Sequence, residues 1–209
     1  MRSITIWLLI KLQNLLPKLL ITRFVNKIAR IKYPPIKNFL IENFINLYEI
    51  NIKEVEKSIP RDFDTFNDFF IRELKKDARP ISQSDKTVCS PVDGTLTVYG
   101  DINEETLIQA KNHDYSVQDL VCRPKNEINQ FINGQFSTIY LAPFNYHRVH
   151  SPIDGNISRI DHIPGNLFSV NKTTTEFIPM VFAKNERVAC YIEKDGVEII
   201  VIFVGALNV

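Results

Sequence analysis

The sequence has few cysteines, and their placement argues against two kinds of small stabilised domain. Only three occur among 209 residues, at Cys89, Cys122 and Cys190, so at least one of them has no partner within the chain. They are far apart and form no Cys-x-x-Cys pair, which argues against a disulfide framework and against a zinc knuckle. We therefore expect free thiols and a reducing compartment.

The sequence also lacks an uninterrupted hydrophobic run long enough to span a membrane. Residues 4–20 are the most apolar stretch, but Lys11, Pro17 and Lys18 interrupt it, whereas a spanning helix needs about twenty mostly uncharged residues. No small-residue cleavage site follows, which argues against a signal peptide. We predict an amphipathic helix on the membrane surface, with Trp7 and leucines on one side and the lysines on the other. The alternative is an ordinary helix that packs on its own domain.

Acidic residues are absent from the first forty positions, and this asymmetry indicates an anionic partner. The net charge of the whole chain is only +1, so the residues after position 40 carry about −7. Basic residues near an anionic leaflet add roughly 1 kcal/mol each. We predict that Trp7, Lys11 and Lys18 contact an anionic membrane, and we expect no nucleic-acid partner. The eight basic residues are Arg2, Lys11, Lys18, Arg23, Lys27, Arg30, Lys32 and Lys37.

The first third of the chain predicts helices. Residues 36–48 have apolar side chains at helical spacing and follow Pro34-Pro35, which is a helix start signal. Thr65 and Asp68 form an approximate capping box before an aromatic helix, whose phenylalanine face we expect to be core. We therefore expect residues 1–75 to form a helical, membrane-associating region.

The remainder of the chain predicts strands. Short β-branched runs alternate with turn signals, and Asp195-Gly196 predicts a hairpin turn. We expect an α+β fold in which residues 76–209 form a β-rich, sandwich or barrel-like domain. The predicted strands are residues 95–99, 137–141, 156–160, 187–192 and 197–204.

Candidate catalytic residues concentrate in residues 140–155, which hold two of the four histidines, His147 and His150. In a helix this spacing would place both on one face, as a metal pair requires. No carboxylate stands at His-Glu-x-x-His spacing and the cysteines offer no matching ligands, so we expect no metal site. In an extended chain the two side chains point to opposite faces, which suits one paired with an acid and one facing a ligand. The alternative is that both are structural.

Two similar turns offer a carboxylate for one of these histidines. We call residues 90–94, Ser-Pro-Val-Asp-Gly, the first Asp-Gly turn and residues 151–155, Ser-Pro-Ile-Asp-Gly, the second. Each is followed by a predicted strand, and the pair is consistent with two surface turns or with a duplicated half-sheet. A turn aspartate can accept the ring N–H of a histidine and so fix its tautomer. Spacing alone does not choose between Asp93 and Asp154.

Several segments along nearly the whole chain match one known family. The segments are Leu16-Pro-Lys18, Thr65-Phe-Asn-Asp-Phe-Phe-Ile-Arg72, Ala78-Arg-Pro-Ile81, Pro91-Val-Asp-Gly94, Gln109-Ala-Lys-Asn-His-Asp-Tyr-Ser116, Tyr146-His-Arg-Val-His150, Pro164-Gly-Asn-Leu-Phe-Ser-Val-Asn171 and Phe182-Ala-Lys-Asn-Glu-Arg-Val188. In these segments the chain resembles the phosphatidylserine decarboxylase family, whose members are pyruvoyl-dependent membrane enzymes. The segments follow one another in the family's order, which makes the resemblance specific.

The resemblance implies a role for each candidate residue. Asp93, and not Asp154, would orient His150, and His150 would be the base that activates a serine for attack on the preceding glycine carbonyl. This self-cleavage leaves a covalent pyruvoyl group, whose carbonyl forms a Schiff base with the amine of phosphatidylserine and accepts the electrons released with CO2. The product is phosphatidylethanolamine, in phospholipid biosynthesis. His147 stands where the family protonates the product carbanion or holds the head group.

The resemblance further implies a pyruvoyl-bearing small subunit, a homodimer, and a peripheral location on the cytoplasmic face of the inner, or plasma, membrane of a bacterium. It also exposes a difference. The family's serine lies in a Leu-Gly-Ser-Thr segment, but none of the seven glycines here is followed by serine. The resemblance therefore implies that residues 76–209 are the catalytic domain and that this domain is incomplete at its C-terminal end. We expect residues 1–209 to be a proenzyme truncated before its self-cleavage site and inactive alone. The alternative is a non-catalytic remnant that only binds anionic membrane.

Overall fold

The computed structural model describes residues 16–82, 84, 86–103, 106–110 and 113–207. Trp7 and Lys11, two of the predicted membrane contacts, lie outside these residues. The helices are α1 (Lys18–Ala29), α2 (Pro34–Tyr48), α3 (Phe66–Phe70), α4 (Val117–Val121), α5 (Lys125–Ile128), α6 (Lys172–Phe177) and α7 (Val181–Lys184). The strands are β1 (Thr95–Asp101), β2 (Thr106–Ala110), β3 (His113–Ser116), β4 (Gln135–Tyr140), β5 (Asn156–Ile163), β6 (Arg187–Lys194) and β7 (Val197–Val204).

The predicted α+β class is confirmed, since helices occupy the N-terminal third and strands follow. The described strands form three separate sheets: β1 pairs with β4, β2 with β3, and β6 lies between β5 and β7. The β2–β3 pair and the three-stranded sheet are antiparallel. None of the described helices is long and apolar enough to cross a bilayer.

The chain divides into two compact units that interleave in sequence. The sheet unit consists of Met1–Thr22, Leu96–Thr138 and Asn156–Val209. The helical unit consists of Arg23–Thr95 and Ile139–Gly155. The segment that carries both candidate histidines therefore belongs to the helical unit. The expected boundary near residue 75 marks a change of secondary structure and remains a prediction as a domain boundary.

The helical unit has an aromatic core built by α2 and α3. Ile41 of α2 and Phe69 of α3 are both 0% exposed. The Phe44 ring meets the Phe69 ring edge-on with centroids 6.4 Å apart, a geometry that aromatic pairs favour. Helix α3 starts as predicted, because the Thr65 hydroxyl accepts the Asp68 backbone N–H at 3.0 Å. The aromatic face predicted from sequence is therefore core.

The sheet unit is organised around β6, whose residues 189–192 are all buried. Its turn into β7 is the predicted Asp195-Gly196 turn, with φ values of 51° and 80°. Positive φ at both positions is what a tight hairpin requires, and glycine adopts it without steric cost. The buried Arg187 guanidinium donates to the backbone carbonyls of Leu120, Asp119 and Asn185, which connects β6 to α4.

Phe69 should contribute far more to stability than Phe39, an α2 residue of the same unit that is 64% exposed. We expect Phe69→Ala to lower the free energy of unfolding by roughly 3–5 kcal/mol, because it leaves a cavity in a closed core. We expect Phe39→Ala to change it by less than about 0.5 kcal/mol. Urea unfolding followed by circular dichroism measures both, and equal losses would contradict this description of the core.

Candidate active site

The two Asp-Gly turns lie side by side in the helical unit and exchange backbone hydrogen bonds. The Cys89 N–H donates to the Pro152 carbonyl at 2.9 Å, and the His150 N–H donates to the Pro91 carbonyl at 2.8 Å. Each donor, Cys89 or His150, directly precedes the serine of its own turn. Each acceptor is the proline that follows the serine of the other turn. The two bonds are therefore equivalent by position, which supports the sequence similarity of the turns. This pairing brings the surroundings of Asp93 and His150 together.

The serines of the two turns are used locally. The Ser90 hydroxyl donates to the Val92 carbonyl at 2.7 Å, and the Ser151 hydroxyl donates to the Ile153 carbonyl at 2.6 Å. Each bond closes its own turn, as serine side chains often do. Ser151, although adjacent to His150, is therefore engaged with its own backbone.

The structure distinguishes the two aspartates that sequence could not. The Asp93 side chain is 20% exposed, and both its oxygens bind Arg79, Oδ1 to Nε at 2.8 Å and Oδ2 to Nη2 at 2.7 Å. The Arg79 guanidinium is the main reason that the pKa of Asp93 is lowered, so this carboxyl is ionised near neutrality. The nearby Tyr146 backbone N–H also lowers the pKa of Asp93. Asp154, at the same position of the second turn, is exposed.

Gly94 lets the first turn approach β4 closely. A Cβ at this position would lie 2.6 Å from the Tyr140 carbonyl oxygen and 2.7 Å from the Ile139 Cγ2 atom. Both distances are shorter than van der Waals contact, and neither neighbour can move without shifting β4. Only glycine fits here, and the neighbouring Asp93 is thereby fixed against the start of residues 140–155.

Tyr146 lies between Asp93 and His150. Its backbone N–H is near enough to lower the pKa of Asp93, and its hydroxyl oxygen is 3.2 Å from His150 Nε2. The phenol and imidazole rings are stacked with centroids 5.6 Å apart, and Tyr146 is only 8% exposed. In the described part of the chain, Asp93 and His150 share no direct hydrogen bond, and Tyr146 is the residue near both. His150 is itself exposed, so its ring is held in place and still open to a reacting group.

His147 occupies a different environment from His150. Its ring meets Phe70 edge-on with centroids 3.9 Å apart. Its Nδ1 atom is buried and has no hydrogen-bond partner among the described residues. Burial and the nearby Arg72 charge lower the pKa of His147 to about 4, so the ring is neutral at neutral pH. A buried ring nitrogen without a partner is able to bind a ligand atom.

Two arginines outside the predicted set of catalytic residues hold the segment around His147. Arg72 is 4% exposed, and its Nη2 donates to the carbonyls of Phe144 and Asn145 at 3.2 and 3.3 Å. Arg148 reaches in the opposite direction and donates to the Ile71 carbonyl at 2.8 Å. Their only signal in the sequence was that both lie in segments that match the family. Nothing local separates them from surface arginines.

The arrangement offers an ionised carboxylate, an exposed imidazole and a neutral, half-buried imidazole. Such a set can activate a nucleophile and hold a carbonyl or carboxylate group. Among the described residues, no group of three or more His, Cys, Asp or Glu side chains is placed to hold a metal ion. The roles of Asp93, His150 and His147 remain predictions.

Of the predicted membrane contacts, the structure describes Lys18. Its ammonium lies 4.4 Å from the centre of the Phe168 ring, and burial lowers its pKa. Elsewhere on α1, Leu20 and Phe24 are 62% and 65% exposed beside the exposed basic residues Arg23 and Lys27. The membrane contact remains a prediction, with α1 as its described part.

Comparison with protein families gives two matches. The model described as phosphatidylserine decarboxylase matches residues 66–209, which include Asp93, His147 and His150. A second model, described as PSD, matches residues 8–49, which include α1 and α2.

Curated relatives are similar along most of the chain, and each is named phosphatidylserine decarboxylase proenzyme. The protein of Haemophilus ducreyi is 43% identical over 204 residues, which cover 97% of this chain and 69% of the relative. The protein of Legionella pneumophila is 45% identical over 194 residues, which cover 93% and 68%. The protein of Francisella tularensis subsp. novicida is 47% identical over 202 residues, which cover 97% and 70%.

His147 should make the protein less stable as the pH falls from 6.5 to 4. The unfolded chain takes up a proton near the ordinary histidine value of 6.5, but folded His147 resists protonation until about 4. Protons therefore favour the unfolded state in this window, and the free energy of unfolding decreases with falling pH. The window lies above the range in which Asp93 is protonated, because the pKa of Asp93 is lowered from 3.8.

We expect His147→Gln to flatten this dependence, measured by urea unfolding at several pH values between 7 and 4. The difference between the two curves cancels groups that both proteins share. Parallel curves for the two proteins would show that His147 titrates normally in the folded state.

Proposed function

The chain belongs to the phosphatidylserine decarboxylase family, and from this we propose that it serves the conversion of phosphatidylserine to phosphatidylethanolamine and CO2 in phospholipid biosynthesis. The observation that carries the proposal is the placement of Asp93, His150 and His147 around Tyr146. The two histidines differ in burial, and burial with the Arg72 charge lowers the pKa of His147, as a separate chemical task for each would require.

In this proposal His150 is the base of self-cleavage. Its backbone is bound to Pro91 and its ring is stacked on Tyr146, so the imidazole is oriented before a nucleophile arrives. Asp93 supplies a fixed negative charge that favours the imidazolium formed when His150 takes the serine proton. The serine lies outside residues 1–209 in this scheme, since no Gly-Ser pair occurs within them.

The site has features that fit a pyruvoyl group. The buried Nδ1 of His147, which has no partner among the described residues, can bind a carbonyl or carboxylate oxygen. The His150 ring is exposed to solvent and can be reached by the group. His147 and His150 are the residues that would hold the group. The chemistry that a pyruvoyl group supplies when present is a carbonyl that draws the electron pair released with CO2.

His147 would have a second task in decarboxylation. As a neutral imidazole it can bind the substrate carboxylate through a ring N–H. Because the ring carries no charge before the substrate arrives, it does not attract other anions. An anionic ligand next to the ring favours its charged form and offsets the burial and the Arg72 charge that keep it neutral. His147 would therefore take up a proton as the substrate binds and donate it to the product carbanion.

A decisive test joins residues 1–209 to the Leu-Gly-Ser-Thr segment and following sequence of a family member. We expect mass spectrometry to show two chains, one of them with a ketone-reactive N-terminus. We also expect the joined protein to release CO2 from carboxyl-labelled phosphatidylserine in vesicles. We expect His150→Ala and Asp93→Asn to slow cleavage roughly 10²–10⁴-fold, as loss of acid–base help does. His162→Ala is the matched control, because His162 pairs with Glu186 at the surface of the sheet unit.

Two outcomes would overturn parts of this proposal. Cleavage of His150→Ala at the parent rate would show that His150 is not the base. A processed protein that releases no CO2 from phosphatidylserine would refute the proposed reaction. Residues 1–209 alone should release none.

A second candidate function is membrane binding without catalysis, favoured by the exposed leucine, phenylalanine and basic residues of α1. In either case we propose a peripheral position on an anionic membrane, at the cytoplasmic face of the bacterial inner membrane. Basic residues there add attraction to the buried apolar side chains.

The charge contribution can be tested by flotation with vesicles. We expect the Arg23→Gln, Lys27→Gln double variant to bind vesicles rich in phosphatidylserine roughly thirtyfold more weakly, from about 1 kcal/mol per charge. Binding to neutral vesicles should be unchanged. Lys75→Gln with Lys76→Gln, two exposed lysines outside α1, is the control. Equal weakening by both pairs would show that only net charge matters and that α1 is not the contact.

A further inference from the structure

Arg79 lies in the Ala78-Arg-Pro-Ile81 segment, which the proposed mechanism leaves without a task. From the geometry we infer that Arg79 is the positioning residue for Asp93, and that Asp93 cannot serve His150 without it. The inference rests on the proposed function, because it assumes that Asp93 assists His150 in self-cleavage.

The contact between Arg79 and Asp93 fixes both the position and the plane of the carboxylate. Nε and Nη2 of the guanidinium bind Oδ1 and Oδ2 at 2.8 and 2.7 Å, so the two planar groups face each other fork to fork. A paired fork of this kind sets the plane of the carboxylate as well as its position. A lysine ammonium is a point charge and would leave that plane free.

Arg79 is itself anchored within the helical unit. Its Nη1 donates to the Ala78 carbonyl at 2.7 Å, and its Nη2 also reaches Glu54 Oε2 at 3.1 Å. Glu54 is held by its own backbone, whose carbonyl accepts the Lys75 N–H at 2.8 Å. Because Ala78 and Glu54 hold the Arg79 guanidinium in place, Arg79 in turn fixes the position of Asp93.

The groups that face Asp93 come from several parts of the unit. Arg79 is the main one, Arg72 adds a weaker positive charge, and the nearby Tyr146 N–H also favours the carboxylate form. Glu54 shares Arg79 from the other side. Arg79 and Asp93 side chains are 42% and 20% exposed, so solvent weakens the pair and its stabilising effect on the fold is small. Its effect is on the orientation and charge of Asp93.

The contact with Arg79 allows Asp93 to assist His150 without a direct hydrogen bond between them. With both oxygens bound to Arg79, the carboxylate is held near Tyr146, the residue whose hydroxyl contacts His150. The negative charge is then fixed near the ring that becomes positive when it accepts the serine proton. Removing Arg79 would let Asp93 rotate and accept a proton at a higher pH.

The first test follows the Asp93 carboxyl carbon by NMR during a pH titration of residues 1–209. We expect Arg79→Gln to raise the titration midpoint of Asp93 by about one pH unit, at the low end of the effect of a neighbouring opposite charge. Arg79→Lys should raise it less. Arg123→Gln is the matched control, because Arg123 pairs with Asp161 in the sheet unit and should shift only that aspartate. An unchanged Asp93 midpoint in Arg79→Gln would overturn the inference.

The second test measures self-cleavage in the protein that carries the Gly-Ser segment. We expect Arg79→Gln to slow cleavage at least tenfold, a part of the roughly 10²–10⁴ that acid–base groups contribute. We also expect it to move the acid limb of the rate profile to higher pH, with partial rescue by Arg79→Lys. A purely structural role would lower the rate without moving the limb.

The two proposals can fail separately. If Asp93→Asn cleaves normally, Asp93 has no part in cleavage and the proposed function loses that residue, whatever Arg79 does to its titration. If Asp93→Asn blocks cleavage but Arg79→Gln changes neither rate nor pH profile, the positioning role of Arg79 is refuted and the proposed function stands.

Discussion

The candidate active site depends on two reciprocal backbone hydrogen bonds between the Asp-Gly turns. The Cys89 N–H binds the Pro152 carbonyl and the His150 N–H binds the Pro91 carbonyl. The two bonds join equivalent positions of the two segments, which share the turn-forming sequence Ser-Pro-x-Asp-Gly. They place residues from distant parts of the chain around Tyr146, and Gly94 allows the close packing against β4 that this needs.

Around these bonds the site is held by arginines and not by apolar packing alone. Arg72 and Arg148 connect α3 with the loop before the histidines through backbone carbonyls, and Arg79 holds Asp93. A guanidinium can bind several acceptors in fixed directions, so it suits loops whose carbonyls have no strand partner. The same solution recurs in the sheet unit, where Arg187 binds carbonyls of α4. Arginine side chains thus hold irregular segments in place, as backbone hydrogen bonds between strands hold a sheet.

Much of the fold was predictable because its signals are local. The cap of α3 by Thr65, the Asp195-Gly196 turn and the strand runs each depend on neighbouring residues, and the structure confirms them. Helix α3 itself is short and ends at Phe70. The pairing of strands into three separate sheets was not predictable, since it joins segments far apart in sequence.

By itself, the sequence determined the α+β class, the family, and the set of residues from which the site is drawn, because each follows from short patterns in a specific order. Only the tertiary structure decided how those residues differ. Asp93 and Asp154 stand in nearly identical turns, yet one is ionised against Arg79 and the other is exposed. Likewise, burial beside Arg72 keeps His147 neutral while His150 is open to solvent. Burial and neighbouring charge set these differences, and both depend on residues that the fold brings from elsewhere in the chain.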